Sequence, residues 1–236
     1  AARAAGVSVV VSATVLNAPE GGGAQAWAEG SSEDGEGAWP TVYRAVGFHP
    51  WYARPGNAID NLRRAMAGTE AYVALGEMGL DAGQGRPPLD VQEEVLEAQL
   101  KLAAELDVPI VLHVHRAHEA LLATLRDHAG VLRRSGKSLR GTVHGFSRGP
   151  ELARRYIDLG LAIGLGAGLF DARAQRLQAT AREIPLAHLV LESDAPSAEI
   201  ADVPGIAQAL ARLRGLDLET VAKETTQNAR RLYAIT

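Results

Sequence analysis

Short apolar runs alternate with amphipathic helical patterns along most of this chain, and this alternation limits the fold more than any other feature. Seven runs rich in β-branched or aliphatic residues are predicted as strands, at 7–11, 42–48, 72–76, 110–113, 141–146, 161–166 and 189–192. Helix-like spacing of apolar residues recurs at 89–106, 117–132, 150–159, 172–183, 203–213 and 217–233. Strands that alternate with helices predict βαβ units and a parallel sheet.

The length of 236 residues suits one α/β barrel of the TIM type, so we predict a single (β/α)8 barrel domain over residues 1–236. Seven strands are one fewer than eight. Residues 1–7 read as the end of a helix, a glycine stop and a strand, so we expect the first strand to be missing from this chain. Residues 19–40 are rich in glycine and acidic residues, which predicts a flexible loop insert.

Composition excludes several classes of protein. No window approaches the roughly 20 apolar residues of a membrane span, so we expect no membrane association. The net charge of -4 argues against a broad basic surface for long nucleic acids, although bound cations would offset carboxylates at a local site. The absence of cysteine excludes thiolate metal sites and fits a reducing compartment such as the cytoplasm.

Four side chains that bind metals well each follow an apolar run: Glu77, His113, His144 and Asp194. Parallel barrels gather the C-terminal ends of their strands around one mouth, where their chemistry takes place. Carboxylates and imidazoles brought together there suit zinc, manganese or magnesium. The sequence therefore predicts a metal-dependent hydrolase.

Five motifs in order identify a family. They are Gly47-Phe48-His49-Pro50, Leu75-Gly76-Glu77-Met78-Gly79-Leu80-Asp81, Pro109-Ile110-Val111-Leu112-His113, His144-Gly145-Phe146-Ser147 and Glu192-Ser193-Asp194-Ala195-Pro196. Their order and spacing resemble the TatD family of metal-dependent hydrolases, and the resemblance covers essentially the whole chain. It implies hydrolysis of DNA phosphodiester bonds, at single strands or ends, with up to two divalent ions (Zn, Mn or Mg) per subunit.

The resemblance also implies roles for the four candidate ligands. Glu77 would bridge two metals, and His113 and His144 would hold one of them. Asp194 would hold the other and accept the proton of the attacking water. No residues of this chain match the His-x-His pair that completes the second metal in the family.

Three further residues are candidates for substrate binding. His49 follows a predicted strand, and either substrate contact or a role in the turn is consistent with its position. His115 stands where the family commonly has arginine, which weakens the expectation of a phosphate contact there. Arg116 could take that role, and a surface ion pair is its alternative.

Two other functions compete with a deoxyribonuclease. The first is a barrel that has lost catalysis and acts as an interaction module, which the unmatched His-x-His pair and the acidic insert favour. The second is a hydrolase of small esters, amides or lactones, which the acidic net charge and His115 leave open.

Overall fold

The computed structural model describes residues 9–15, 41–56, 59–68, 72–194 and 199–235. The chain divides into an N-terminal unit, Val9–Leu139, and a C-terminal unit that includes Arg140–Thr236. The loop predicted over 19–40 and residues 7–8 of the first predicted strand lie outside the described residues. The prediction of one domain over the whole chain stays a prediction.

Among its described residues, the N-terminal unit contains four parallel strands, each paired with the next in chain order. The strands are β1 (Val9–Val15), β2 (Thr41–Gly47), β3 (Tyr72–Asp81) and β4 (Ile110–His115). Its helices are α1 (Ile59–Met66), α2 (Leu89–Leu106) and α3 (His118–Arg134), and a 3-10 turn spans Pro50–Tyr52. Side chains such as Ala74, Leu75, Leu112 and Leu121 are fully buried in its core.

The C-terminal unit continues the same alternation with three parallel strands. They are β5 (Gly141–Val143), β6 (Leu161–Leu165) and β7 (Leu189–Leu191). Its helices are α4 (Pro150–Ile157), α5 (Gln175–Glu183), α6 (Val203–Arg214) and α7 (Leu218–Tyr233), with 3-10 turns at Ala167–Phe170, Leu186–His188 and Ile200–Asp202.

Strand order distinguishes this fold from a doubly wound parallel sheet. Within each unit the strands follow one another without a reversal, whereas a doubly wound sheet reverses its order at a switch point. The α/β class with TIM-type βα succession is therefore confirmed. Among the described residues, no helix is both long enough and apolar enough to cross a membrane.

Two buried glutamines of α2 fix the main chain that leads into the site. Gln99 accepts from the Phe48 N–H at 2.8 Å and donates to the Phe48 carbonyl at 3.1 Å. Gln92 likewise accepts from the Asp81 N–H at 2.7 Å and donates to the Asp81 carbonyl at 3.0 Å. Because a buried amide that lacks its partners is costly, these bonds hold the ends of β2 and β3 in register with α2.

Three strands extend further at their C-terminal ends than the sequence indicates, and the first of them, β1, runs to Val15 rather than Val11. β3 runs to Asp81 rather than ending at Gly76, and β4 runs to His115 rather than His113. Glu77 therefore lies inside a strand instead of just beyond it, and His113 is followed by two more strand residues. The predicted strand stopped at Gly76 because its apolar run ends there, whereas glycine inside a strand often marks a bulge that the strand continues beyond.

Candidate metal centre

The N-terminal unit brings one carboxylate and two imidazoles together on neighbouring strands. His49 follows β2, Glu77 lies in β3 and His113 lies in β4, and one ligand atom from each lies within 4.8 Å of the others. His49 is buried, and the side chains of Glu77 and His113 are partly buried. This set of oxygen and nitrogen donors has the chemistry and spacing of a divalent cation site.

A bulge in β3 directs Glu77 into this cluster. Leu75 pairs with Ile110 and Met78 with Leu112, so β3 carries one residue more than β4 over this interval. Such a bulge re-aims a side chain and is common beside active sites. Gly76 makes the bulge possible, since its φ is +144° and a Cβ there would lie 2.4 Å from the Val111 carbonyl oxygen.

The hydrogen bond at Nδ1 determines what His49 can do. The Trp51 N–H donates to His49 Nδ1 at 3.2 Å, so a neutral imidazole carries its proton on Nε2. Nε2 lies 3.4 Å from Glu77 Oε2. In this tautomer His49 is a hydrogen-bond donor that orients Glu77, and its Nε2 lone pair is not offered to a cation.

His113 is oriented by the buried carboxylate of Asp81, the last residue of β3. Asp81 Oδ2 lies 3.0 Å from His113 Nε2, and Asp81 is only 3% exposed. An ionised Asp81 accepts the Nε2 proton, which leaves the lone pair of Nδ1 for a metal. Histidine ligands commonly have such a partner, which fixes both tautomer and ring orientation.

Two further donors converge on Asp81. The Gly83 N–H donates to Oδ1 at 2.7 Å and the Trp51 indole N–H to Oδ2 at 2.5 Å. Burial alone would raise the pKa of Asp81, but hydrogen bonds from Trp51, Gly83 and His113 outweigh it and lower that pKa below its ordinary value. Asp81 therefore remains an anion beside His113.

The remaining two substrate-binding candidates of this unit lie outside the cluster. His115 is the last residue of β4 and Arg116 follows it with a φ of +55°, and both are exposed. Their position leaves them accessible to a substrate at the end of the strand.

The other two predicted ligands meet in the C-terminal unit. His144 follows β5 directly and Asp194 follows β7, and His144 Nδ1 lies 3.8 Å from Asp194 Oδ1. The His144 side chain is 12% exposed, whereas that of Asp194 is 49% exposed. The carboxylate is thus the more accessible of the two.

Glu192 holds the main chain next to this pair. Its Oε1 accepts from the Gly145 N–H at 2.5 Å, which fixes the main chain directly after His144. Its carboxylate also lies against Gly164 of β6, where an added Cβ would meet Oε2 at 2.3 Å. Glycine at that position gives the Glu192 side chain its space.

Carboxylates and imidazoles at the strand ends of a βα framework are typical of the class of metal-dependent hydrolases. The chain belongs to the TatD family within that class, since residues 1–234 match the family described as TatD related DNase. This membership confirms the resemblance inferred from the five motifs.

Individual relatives are consistent with this assignment. The chain is 37% identical over 158 residues to the uncharacterized metal-dependent hydrolase YjjV of Escherichia coli K12, a match that covers 66% of this chain and 58% of YjjV. It is 32% identical over 250 residues to the 3'-5' ssDNA/RNA exonuclease TatD of Pantoea ananatis, covering 99% of this chain and 91% of that protein. The crystal structure of YjjV matches with a TM-score of 0.83 at 29% identity, over 100% of this chain and 90% of that one.

Proposed function

We propose that this protein is a nuclease that hydrolyses phosphodiester bonds of DNA, at single strands or free ends, by means of metal-activated water. The observation that carries the proposal is the convergence of the ligand candidates Glu77 and His113, with His49 placed to orient Glu77, in a chain of the TatD family. Relatives named 3'-5' ssDNA/RNA exonucleases support a nucleic acid as substrate. A cytoplasmic location remains a prediction from the lack of cysteine.

We assign the metal ligands to two pairs, one in each unit. Glu77 and His113 form the first pair, and His144 and Asp194 form the second. The family pattern implies up to two ions of zinc, manganese or magnesium per chain. Bound there, a divalent cation would lower the pKa of water from about 15.7 toward roughly 7 and so supply hydroxide at neutral pH.

Other side chains accept the proton of the attacking water, orient Glu77 and contact the phosphates. The exposed carboxylate of Asp194 accepts the proton of the attacking water, since it is the more accessible member of its pair. The Nε2–H of His49 holds Glu77 in place. His115 and Arg116, exposed at the end of β4, contact the phosphates that flank the scissile bond.

Cleavage assays on one set of variants test this function. A single-stranded oligodeoxynucleotide labelled at either end is incubated with metal-loaded protein, and the size of the first products gives the end that is attacked. Glu77→Ala and Asp194→Asn are expected to lower the rate at least about 100-fold, as loss of a metal ligand or base does. Glu97→Ala is the matched control, because Glu97 lies on the surface of α2 in a pair with Lys101.

The same assay separates the competing functions. Rapid turnover of a small ester, amide or lactone without cleavage of DNA would replace the nuclease by a small-molecule hydrolase. No turnover of any of these substrates by metal-loaded protein would contradict a hydrolase and favour an interaction module.

A further inference from the structure

An exposed tryptophan stands directly beside the histidines of the candidate site. Trp51 lies in the turn Pro50–Tyr52, two residues after His49, and is 39% exposed. Its ring centroid lies 4.9 Å from that of His49 and 6.0 Å from that of His113, with the rings nearly perpendicular at 82° and 79°. A partly exposed indole thus lies immediately next to the candidate metal ligands.

Several contacts hold the indole in one orientation. Its Nε1–H donates to Asp81 Oδ2, and its main-chain N–H donates to His49 Nδ1. Arg86 covers the ring, with Cζ 3.7 Å from the ring centroid, and its Nε lies 3.8 Å from Asp81 Oδ2. Because these bonds fix the ring before any ligand binds, ordering it on binding costs little entropy.

We propose that Trp51 and Arg86 form a stacking platform for an unpaired nucleobase next to the scissile phosphate. This inference rests on the proposed nuclease function and deepens it. Aromatic rings and guanidinium planes are the surfaces on which proteins stack splayed bases, and such stacking tolerates any base sequence. A base within a duplex is stacked on its neighbours, so the platform selects single strands and frayed ends.

Arg86 adds a charge to the aromatic surface. Its side chain is 32% exposed, and its guanidinium lies over the indole. A cation stacked in this way is attracted to the ring face and also to phosphate groups. The pair therefore combines the two features of sites for single-stranded nucleic acid, a base-stacking surface and a positive charge.

Equilibrium binding tests the platform without relying on turnover. Metal-loaded protein is titrated into fluorescein-labelled oligothymidylate with non-hydrolysable linkages, into the same oligomer with abasic sites, and into a blunt duplex, and fluorescence anisotropy gives each Kd. Trp51→Ala is expected to raise the Kd for oligothymidylate about 5- to 150-fold. Arg86→Ala is expected to weaken the same complex, and Trp51→Phe to retain most of the affinity because it keeps a ring for stacking.

The abasic oligomer isolates the stacking contribution. It should bind the parent more weakly than oligothymidylate does, and its affinity should respond less to Trp51→Ala. Arg126→Ala, which removes an exposed charge from α3, is the control for net charge. Circular dichroism of each variant establishes that it is folded.

Different results overturn different parts of the account. If Trp51→Ala lowers affinity equally for both oligomers, or not at all, the stacking platform is wrong even if the protein cleaves DNA. If a folded, metal-loaded parent binds none of the oligomers, the platform and the proposed nuclease function fail together.

Discussion

Asp81 offers a sharp test of how the candidate site is held together. Three donors converge on its buried carboxylate: the Gly83 N–H on Oδ1, and the Trp51 Nε1–H and His113 Nε2–H on Oδ2. In Asp81→Asn the amide oxygen can replace only one carboxylate oxygen, and the NH2 group then faces a donor on the other side. At least one buried hydrogen bond is lost, and the others lose the assistance of a charge.

The magnitudes follow from these losses. A buried donor left unsatisfied costs about 1–3 kcal/mol, so the free energy of unfolding should fall by about that amount. A metal site whose histidine loses its orienting carboxylate typically binds about 10–100-fold more weakly. Urea unfolding of the metal-free protein measures the first effect, and competition with a chromophoric chelator measures the second.

Asp127→Asn is the matched control, because Asp127 is exposed on α3. If Asp81→Asn has the same urea midpoint and the same metal affinity as this control, then Asp81 does not orient His113, and the tautomer argued for His113 is wrong.

The same variant should alter the response to acid. Hydrogen bonds hold the pKa of Asp81 in the folded protein below its ordinary value, despite the opposing effect of burial. The stability that the carboxylate contributes is therefore complete above about pH 4 and is lost as pH falls through the folded pKa. Asp81→Asn lacks this contribution at every pH, so its stability relative to the parent should improve as the solution becomes more acidic.

Three further substitutions test the bulge in β3, a glycine inside a helix and a buried hydrogen bond. Gly76→Ala should destabilise the fold by more than about 2 kcal/mol, since it adds a Cβ 2.4 Å from the Val111 carbonyl oxygen at a φ of +144°. Gly130→Ala, inside α3, should instead stabilise the fold by about 0.5–1 kcal/mol. Equal urea midpoints for the two variants would contradict the bulge. Tyr233→Phe should cost about 0.5–1.5 kcal/mol through loss of the hydrogen bond with Thr142 at 3.0 Å. Burial raises the pKa of Tyr233 to about 12, so folding favours the neutral phenol, and stability should decline from about pH 10 up to pH 12 in the parent but less in the variant.

Periodicity in the sequence located most of the elements, because their burial patterns are regular. Helix α2 spans Leu89–Leu106, the range predicted from its apolar spacing, and β6 agrees with its prediction to within one residue. Helix α1 was not predicted, since its eight residues bury only Leu62 and give almost no periodic signal.

The site could be predicted as a set of residue types but not as a set of contacts. Strand-end position and family motifs marked Glu77 and His113 as ligands, and both lie in the cluster of the N-terminal unit. The link from Asp81 to His113 joins residues 32 positions apart, which a single sequence does not reveal. The platform of Trp51 and Arg86 depends in the same way on a contact between distant segments.

Elemental analysis of purified protein after incubation with excess zinc or manganese and removal of unbound metal tests the central claim most directly. We expect one to two divalent ions per chain in the parent and in Glu97→Ala, with clear losses in both Glu77→Ala and Asp194→Asn. A parent that retains no metal, or variants that retain as much as the parent, would contradict a metal centre built from these residues.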